Sequence, residues 1–454
     1  MLIVLCLFLQ AVIRAATQSI TIDEALNYSR FLNGSVSQIF LARYDANNHV
    51  LQSLLSWVSI HSMGVGELAQ RVPTLAGCGL YFWAVIRLSR LLFGSGPGHL
   101  LSTVLLAGNP YVLDFFTVAR GYGLALAFLS LAVVTAAELG PRPALIGVWS
   151  ALSVASSLAC LFPVAGLFCA LAAIVYPKAI GRFLLQIVAP FVLVAGAILI
   201  IPLRTVDKNT FIFGADTWIQ AIWSLLNPSF AHNQMLPLPG VWGTISGTIY
   251  RWLPYAILPG TALLIAAFAL VYYRRGKRME AVVCAFPTFT LALLCAAHIL
   301  IGLRLPIMRT GIYLLFMMPL GLLAVVRTRG PVRWICLPLM TLLALAYVRQ
   351  WKPAYVEEWR FDASTREFAR SIEAIRAYSG RDRLKIGGSW MFGESLNYYR
   401  VVNGYTHWLP VERSEAAAPA DIYLLMEPDA PVADKLKLKI ITRDPRSGSV
   451  LASP

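Results

Sequence analysis

Apolar residues in this chain fall into long runs separated by short polar turns. A helix needs roughly 20 mostly apolar residues to cross a hydrocarbon core. Runs of this kind occupy 1–17, 74–93, 99–118, 121–139, 144–159, 161–177, 183–203, 253–273, 280–303, 308–326 and 331–349. The pattern predicts a polytopic α-helical membrane protein with about 11 transmembrane helices. The stretch 144–177 is too long for one helix and is expected to break near Cys160 to Pro163. The first run is short, and no basic residue precedes it. A signal peptide cut near Arg14-Ala15-Ala16, or a start codon placed too far downstream, would each account for that. Either way residue 18 onward is expected outside.

The polar stretches carry their own patterns. In 50–63, Leu51, Leu54, Leu55 and Val58 recur at helical spacing, which predicts an amphipathic helix lying in the membrane interface. Residues 24–33 could form a second. From 351 onward the runs stop and a small α/β region is expected. Ser364 and Glu367 fit a capping box ahead of Phe368, Ile372 and Ile375, with Gly380 as the stop. Strands are expected at 384–390, 420–426 and 436–442. The organisation read from this is a transmembrane body over 1–350, with outer loops at 18–73 and 204–252, and a soluble extracytoplasmic region over 351–454.

Charge changes the picture by giving the body a direction. The chain of 454 residues is 58% hydrophobic and 13% charged, with net charge +15. Soluble proteins carry about 25% charged residues, so a soluble enzyme, a disordered chain and a nucleic-acid binder with a basic face are all excluded. Residues 351–454 hold 15 basic and 14 acidic residues, and the body holds 23 and 9. The basic residues of the body lie in alternate loops: Arg87 and Arg90; Arg142; Lys178 and Arg182; Arg274, Arg275, Lys277 and Arg278; Arg327, Arg329 and Arg333. Those loops are cytoplasmic by the positive-inside rule. The seven cysteines lie inside apolar runs without a CxxC pair and read as small buried hydrophobes.

Carboxylates before residue 351 are few: Asp23, Glu24, Asp45, Glu67, Asp114, Glu138, Asp207, Asp216 and Glu280. Glu138 and Glu280 fall at cytoplasmic ends, so acid–base chemistry outside must use the other seven. Asp23-Glu24 follows the first helix; adjacent carboxylates there point different ways, and helix capping competes with catalysis. His49 precedes the interfacial helix and could be a solvated loop residue or a ligand. Asp114 and Arg120-Gly121-Tyr122-Gly123 sit at the turn between the third and fourth runs. A structural Asp114–Arg120 ion pair is one reading, and an arginine that holds a phosphate is the other. Arg304 and Arg309 lie on the outer side against the charge bias, as clamps for an anionic headgroup or as snorkelling residues. Loop 204–252 carries Phe211, Phe213, Trp218, Trp223, Phe230 and Trp242, which read as belt aromatics.

Several stretches together resemble one family. They are Thr21-Ile22-Asp23-Glu24-Ala25, Asn48-His49-Val50-Leu51, Gln70-Arg71-Val72-Pro73-Thr74-Leu75-Ala76-Gly77, Ala119-Arg120-Gly121-Tyr122-Gly123-Leu124-Ala125-Leu126, and Arg309-Thr310 before Tyr313. In order and spacing they resemble the GT-C glycosyltransferases, the polyprenyl-phosphate-dependent group that includes protein O-mannosyltransferases and lipid A aminoarabinose transferases. Residues 18–130 carry the likeness, and the later helices share only topology. Family members often have Pro after the His, where this chain has Val50. The resemblance implies an inverting transfer from a lipid-linked sugar to an extracytoplasmic lipid, glycan or protein acceptor. It implies an acid of the first outer loop as base, matched by Asp23, with Glu24 able to share or replace it. Arg120 and Arg309 match the positive charge that the phosphate leaving group needs. His49, Tyr122 and Asp114 are the further substrate-binding candidates. Some relatives use a divalent metal ion, for which Asp23, Glu24, His49 and Asp114 could supply ligands. A bacterial inner membrane is the location the resemblance implies.

Three rivals remain at this stage. A transporter or flippase for lipid-linked saccharides wants mid-membrane polar groups and repeated halves, and neither is visible. A polymerase or ligase wants arginines in a long outer loop, where 204–252 has Arg204, Lys208 and Arg251. The third is a relative that only binds glycolipid.

Overall fold

The computed structural model describes every residue except 1, 141, 207–212, 231–235, 237, 329 and 352–354. Asp207, Lys208, Phe211 and Arg329 therefore lie outside the described residues. A helix occupies each of the eleven apolar runs. In chain order, α1 is Leu2–Thr17, followed by α2 (Ile22–Asn27) and α3 (Val50–Met63). Next come α4 (Glu67–Phe93), α5 (Pro97–Ala107), α6 (Gly121–Glu138), α7 (Pro143–Ser156) and α8 (Leu161–Ile174). Then follow α9 (Ile180–Leu199), α10 (Trp218–Ser229), α11 (Gly240–Arg274), α12 (Arg278–Ile301), α13 (Met308–Val326) and α14 (Pro331–Arg349).

Seven of these, α4, α6, α9, α11, α12, α13 and α14, are long and apolar enough to cross a membrane; α1 with the bent segment after it would make eight. Of the eleven runs, α5, α7 and the helical stretch ending with α8 fall short of that length. The causes are local. Asn109 accepts from the Val112 N–H at 3.1 Å and Pro110 opens a new short helix, so the third run is cut in two. Ser157 is extended (φ −157°, ψ 121°) and breaks 144–177 before Cys160. Conversely, the loop expected at 204–252 contains α10 and the first turns of α11.

α6 is buried around most of its circumference (83%), whereas α11 is 11% buried. A helix that is apolar on all sides and buried is a core element; α6 is the axis, and α9 and α11 form the periphery. Gly166 of α8 lies so close to α12 that a Cβ would stand 2.2 Å from the Thr290 hydroxyl. Small residues allow this approach where no hydrophobic drive separates helix from lipid. Cys78, Cys160, Cys284 and Cys336 are buried as expected, but Cys6 is exposed on α1.

The ion pairs join helix ends that the charge pattern assigns to a common side. Arg87 meets Glu138 at 2.6 Å and Arg327 meets Glu280 at 3.0 Å, all at ends read as cytoplasmic. Arg14–Asp114 and Arg71–Glu24 join ends read as outer.

Beyond the last span, α15 (Thr365–Ser379) and α16 (Gly393–Val402) accompany β1 (Ile386–Gly388), β2 (Ile422–Leu425), β3 (Lys439–Arg443) and β4 (Val450–Ser453). The sheet order is β1-β2-β4-β3, with β1 and β2 parallel and the other pairs antiparallel. Gly380 ends α15 in the left-handed region, as expected. The capping box at its start is not made: the Ser364 hydroxyl takes a hydrogen bond from Arg446 instead. β4 has no counterpart among the expected strands. This region packs directly on the first outer loop. The Ile22 N–H donates to Asp362 Oδ2 (2.7 Å), the Ile20 N–H to the Tyr399 hydroxyl (2.9 Å), and Arg366 to the Gln18 carbonyl (2.9 Å).

Candidate functional site

Asp23 and Glu24 both stand in the first turn of α2. Thr21 is the N-cap. Its hydroxyl accepts from the Glu24 N–H, and the Thr21 N–H donates back to Glu24 Oε2 at 3.0 Å, a complete capping box. Arg71, from the first turns of α4, closes on Glu24 in a fork: Nε to Oε1 at 2.8 Å and Nη2 to Oε2 at 2.7 Å. The Ala119 N–H adds a third kind of donor at 2.6 Å. Both side chains of this pair are wholly buried. Arg71 spends its remaining donors on the carbonyls of Ala15, Gln18 and Ser19. Glu24 thus ties α1, α2, α4 and the turn before α6 together, with no lone pair turned to a cleft.

Asp23, one residue earlier, faces the other way. Its Oδ2 lies 3.5 Å from Arg120 and 3.3 Å from Arg309, and it makes no hydrogen bond. The side chain is 17% exposed, Arg120 2% and Arg309 23%. Arg120 is held by the Asn47 carbonyl (3.1 Å), and its Nε has no partner. Asn47 in turn donates to the Asp23 carbonyl (3.1 Å). Arg309 also pairs with Glu358 and lies over the Trp359 ring at 5.6 Å. Glu358 takes a second hydrogen bond from the Tyr111 hydroxyl at 2.7 Å.

His49 is the N-cap residue of α3 and is buried. Its Nδ1 is 3.0 Å from the Ser156 carbonyl. A carbonyl only accepts, so Nδ1 carries the proton and Nε2 presents its lone pair. Nε2 has no hydrogen-bond partner. Burial first, then the charges of Arg120 and Arg309, hold this imidazole well below its ordinary pKa, so it is neutral near pH 7. Tyr122 packs edge-on against the ring at 4.6 Å and accepts from Arg309. Gly121 is required here. A Cβ on it would stand 1.9 Å from the Ser156 carbonyl oxygen and 2.7 Å from the His49 Cβ.

Of the expected site residues, then, Asp23, His49, Arg120, Tyr122 and Arg309 converge, and Glu24 and Asp114 do not. Asp114 pairs with Arg14 (2.6 Å), not Arg120, and also takes the Glu357 N–H (3.0 Å). Both partners of that pair are buried, which makes it structural. Arg304 meets Asp216 at 3.4 Å on the surface. Glu358, Trp359, Tyr111 and Asn47 were not singled out by sequence. Only Arg14, a charge inside an apolar run, carried a signal that Asp114 had another partner. Among the described residues no three His, Cys, Asp or Glu side chains converge as a metal set. With Glu24 and Asp114 committed to arginines, the proposed four ligands shrink to two, and two guanidinium groups face the remaining carboxylate. These residues do not fit a metal ion, and no step below passes through one.

No protein-family model and no curated protein sequence matches this chain. Among solved structures, it is similar to the oligosaccharyltransferase of Archaeoglobus fulgidus in complex with Zn and sulfate, at 14% identity and TM-score 0.45, over 99% of this chain and 73% of that one. It is similar also to ArnT from Cupriavidus metallidurans, solved in the apo state and bound to undecaprenyl phosphate, at 10% and 13% identity and TM-score 0.46, over 100% of this chain and 97% of that one.

Proposed function

We propose that this chain is a membrane glycosyltransferase that moves a sugar from a polyprenyl-phosphate donor to a hydroxyl of an extracytoplasmic acceptor. The observation that carries the reading is Asp23: a carboxylate whose Oδ2 makes no hydrogen bond and is opposed by two guanidinium groups, beside the outer ends of apolar helices. A base and a cationic phosphate cradle are the two things this transfer needs.

In this reading the acceptor oxygen attacks the anomeric carbon while Asp23 takes its proton. The bond from that carbon to the phosphate oxygen breaks on the opposite face, so configuration inverts. Arg120 and Arg309 neutralise the departing polyprenyl phosphate, which is why no acid is needed to protonate it. His49 Nε2 accepts a hydroxyl hydrogen bond from the sugar, and Tyr122 fixes the imidazole and Arg309. Glu24 is assigned to holding α2 in place. Residues 351–454 are read as an extracytoplasmic accessory region that supplies Glu358 and Trp359, and a bacterial inner membrane is the proposed location.

The test is transfer in nanodiscs from a panel of radiolabelled polyprenyl-phosphate sugars to membrane extracts, comparing wild type with Asp23→Asn and Glu24→Gln. Asp23→Asn is expected to lower kcat by about 10²–10⁴, the range for removing a general base, with the protein still folded. Transfer that survives Asp23→Asn would sink the assignment.

A further inference from the structure

A concavity lies outside the Asp23 site. It is a cleft of about 470 Å³ between the end of α1, the turn from α3 to α4, and the helices α15 and α16. None of Asp23, His49, Arg120, Tyr122 or Arg309 lines it. Glu67 and Arg71 stand one turn apart on α4; Arg71 turns inward to Glu24, and Glu67 lines the cleft.

The polar wall is Glu67, Arg366, Arg370, Tyr398, Tyr399 and Asn403. Arg366 is already spent on Glu67 (3.0 Å), and the Tyr399 hydroxyl donates to the same carboxylate (2.8 Å). Arg370 is exposed and has no ion-pair partner among the described residues. The cleft therefore carries one uncompensated positive charge, backed by the Tyr398 hydroxyl and the Asn403 amide. Its lip is apolar: Met63, Val65 and Leu68 are 61%, 46% and 38% exposed. They belong to the turn between α3, read from its spacing as interfacial, and α4, which is long and apolar enough to cross a membrane, and that reading sets the lip beside the membrane. An unpaired guanidinium above an apolar lip suits an amphiphile with an anionic head and not a fully water-soluble ligand. The volume matches that of small-molecule sites.

We propose that this cleft is a second ligand site, which binds the anionic, hydroxyl-bearing headgroup of a membrane lipid. The claim concerns binding and does not depend on the reaction assigned to Asp23.

The test uses full-length protein in detergent and native mass spectrometry, with phosphatidylglycerol, phosphatidylcholine and free glycerol phosphate as probes. Wild type is expected to retain phosphatidylglycerol about tenfold better than phosphatidylcholine, the size of one charged hydrogen bond. Arg370→Ala is expected to erase that preference. Gly66→Phe is expected to erase it too. Gly66 lines the cleft in extended backbone (φ −179°), and a Cβ there meets nothing within 4 Å, so the ring fills the space without disturbing the fold. Arg383→Ala, an exposed charge elsewhere, is expected to change nothing. Equal retention of the two lipids by wild type would overturn the proposal, as would a preference that survives in both cleft variants. Displacement by free glycerol phosphate at equal concentration would overturn the assignment to a lipid.

Discussion

Asp23 and Glu24 are chain neighbours with opposite surroundings. Successive residues on a helix point about 100° apart, so one turns into the packed interior and one into the site. Removing one partner of a buried pair leaves the other charge uncompensated. Glu24→Gln should therefore cost about 3–5 kcal/mol of stability, read as a large fall in melting temperature, whereas Asp23→Asn should melt close to wild type while losing transfer. A second prediction concerns Glu358. Without substrate, Arg120 and Arg309 are balanced by Asp23 and Glu358. An incoming phosphate adds negative charge to a mostly buried site. Glu358→Gln should then lower the donor KM about tenfold, roughly 1.4 kcal/mol; a raised KM would instead make Glu358 a residue that positions Arg309. Scarcity of charge put Asp23 and Arg120 among the candidates, and the family resemblance gave them their expected roles. It could not name Glu358, one of 14 acids in a polar tail, because only folding distinguishes it from its neighbours.

At the scale of elements, helix α3 spans the residues its spacing predicted, and it packs inward through polar as well as apolar side chains, Val50, Leu51 and Ile60 among them. Gln52, Ser53 and Ser56 are buried, and Val58 is 52% exposed. The Ser56 hydroxyl donates to the Gln70 carbonyl (2.7 Å) and the Thr74 hydroxyl to Gln52 Oε1 (3.0 Å). Hydrogen bonds between helices thus add to apolar packing in setting the orientation of α3. The contact between α2 and the turn before α15 is set by Asp362. Burial pushes its carboxyl up to about 7, against the pull of its bond to the Ile22 N–H. A folded pKa above the unfolded one means that the folded state binds more protons in between. This contribution to stability is thus present at low pH and lost as pH rises through about 7. Asp362→Asn keeps an acceptor for Ile22, so its melting temperature should decline less than that of wild type between pH 5 and 8. An identical decline in both would remove Asp362 as the titrating group.

Across the whole molecule, the membrane body and the C-terminal region share one buried apolar cluster: Ile20 and Tyr28 belong to it together with Phe368, Ile372, Leu396 and Tyr398. A chain ended at residue 350 should therefore lose the docked state of its first outer loop. The expected outcome is aggregation on gel filtration, with no transfer, and a monodisperse active fragment would contradict it. By itself the sequence determined the helical membrane class and the positions of the runs, because hydrocarbon burial acts residue by residue along the chain. It also narrowed the chemistry to a few outer acids and arginines. Which runs are long enough to cross, which carboxylate each arginine takes, and that a distant glutamate reaches Arg309 were decided only in three dimensions. Pairing across 47 residues, as in Arg71–Glu24, or 100, as in Arg14–Asp114, depends on how the helices pack. No local pattern in the chain encodes that packing.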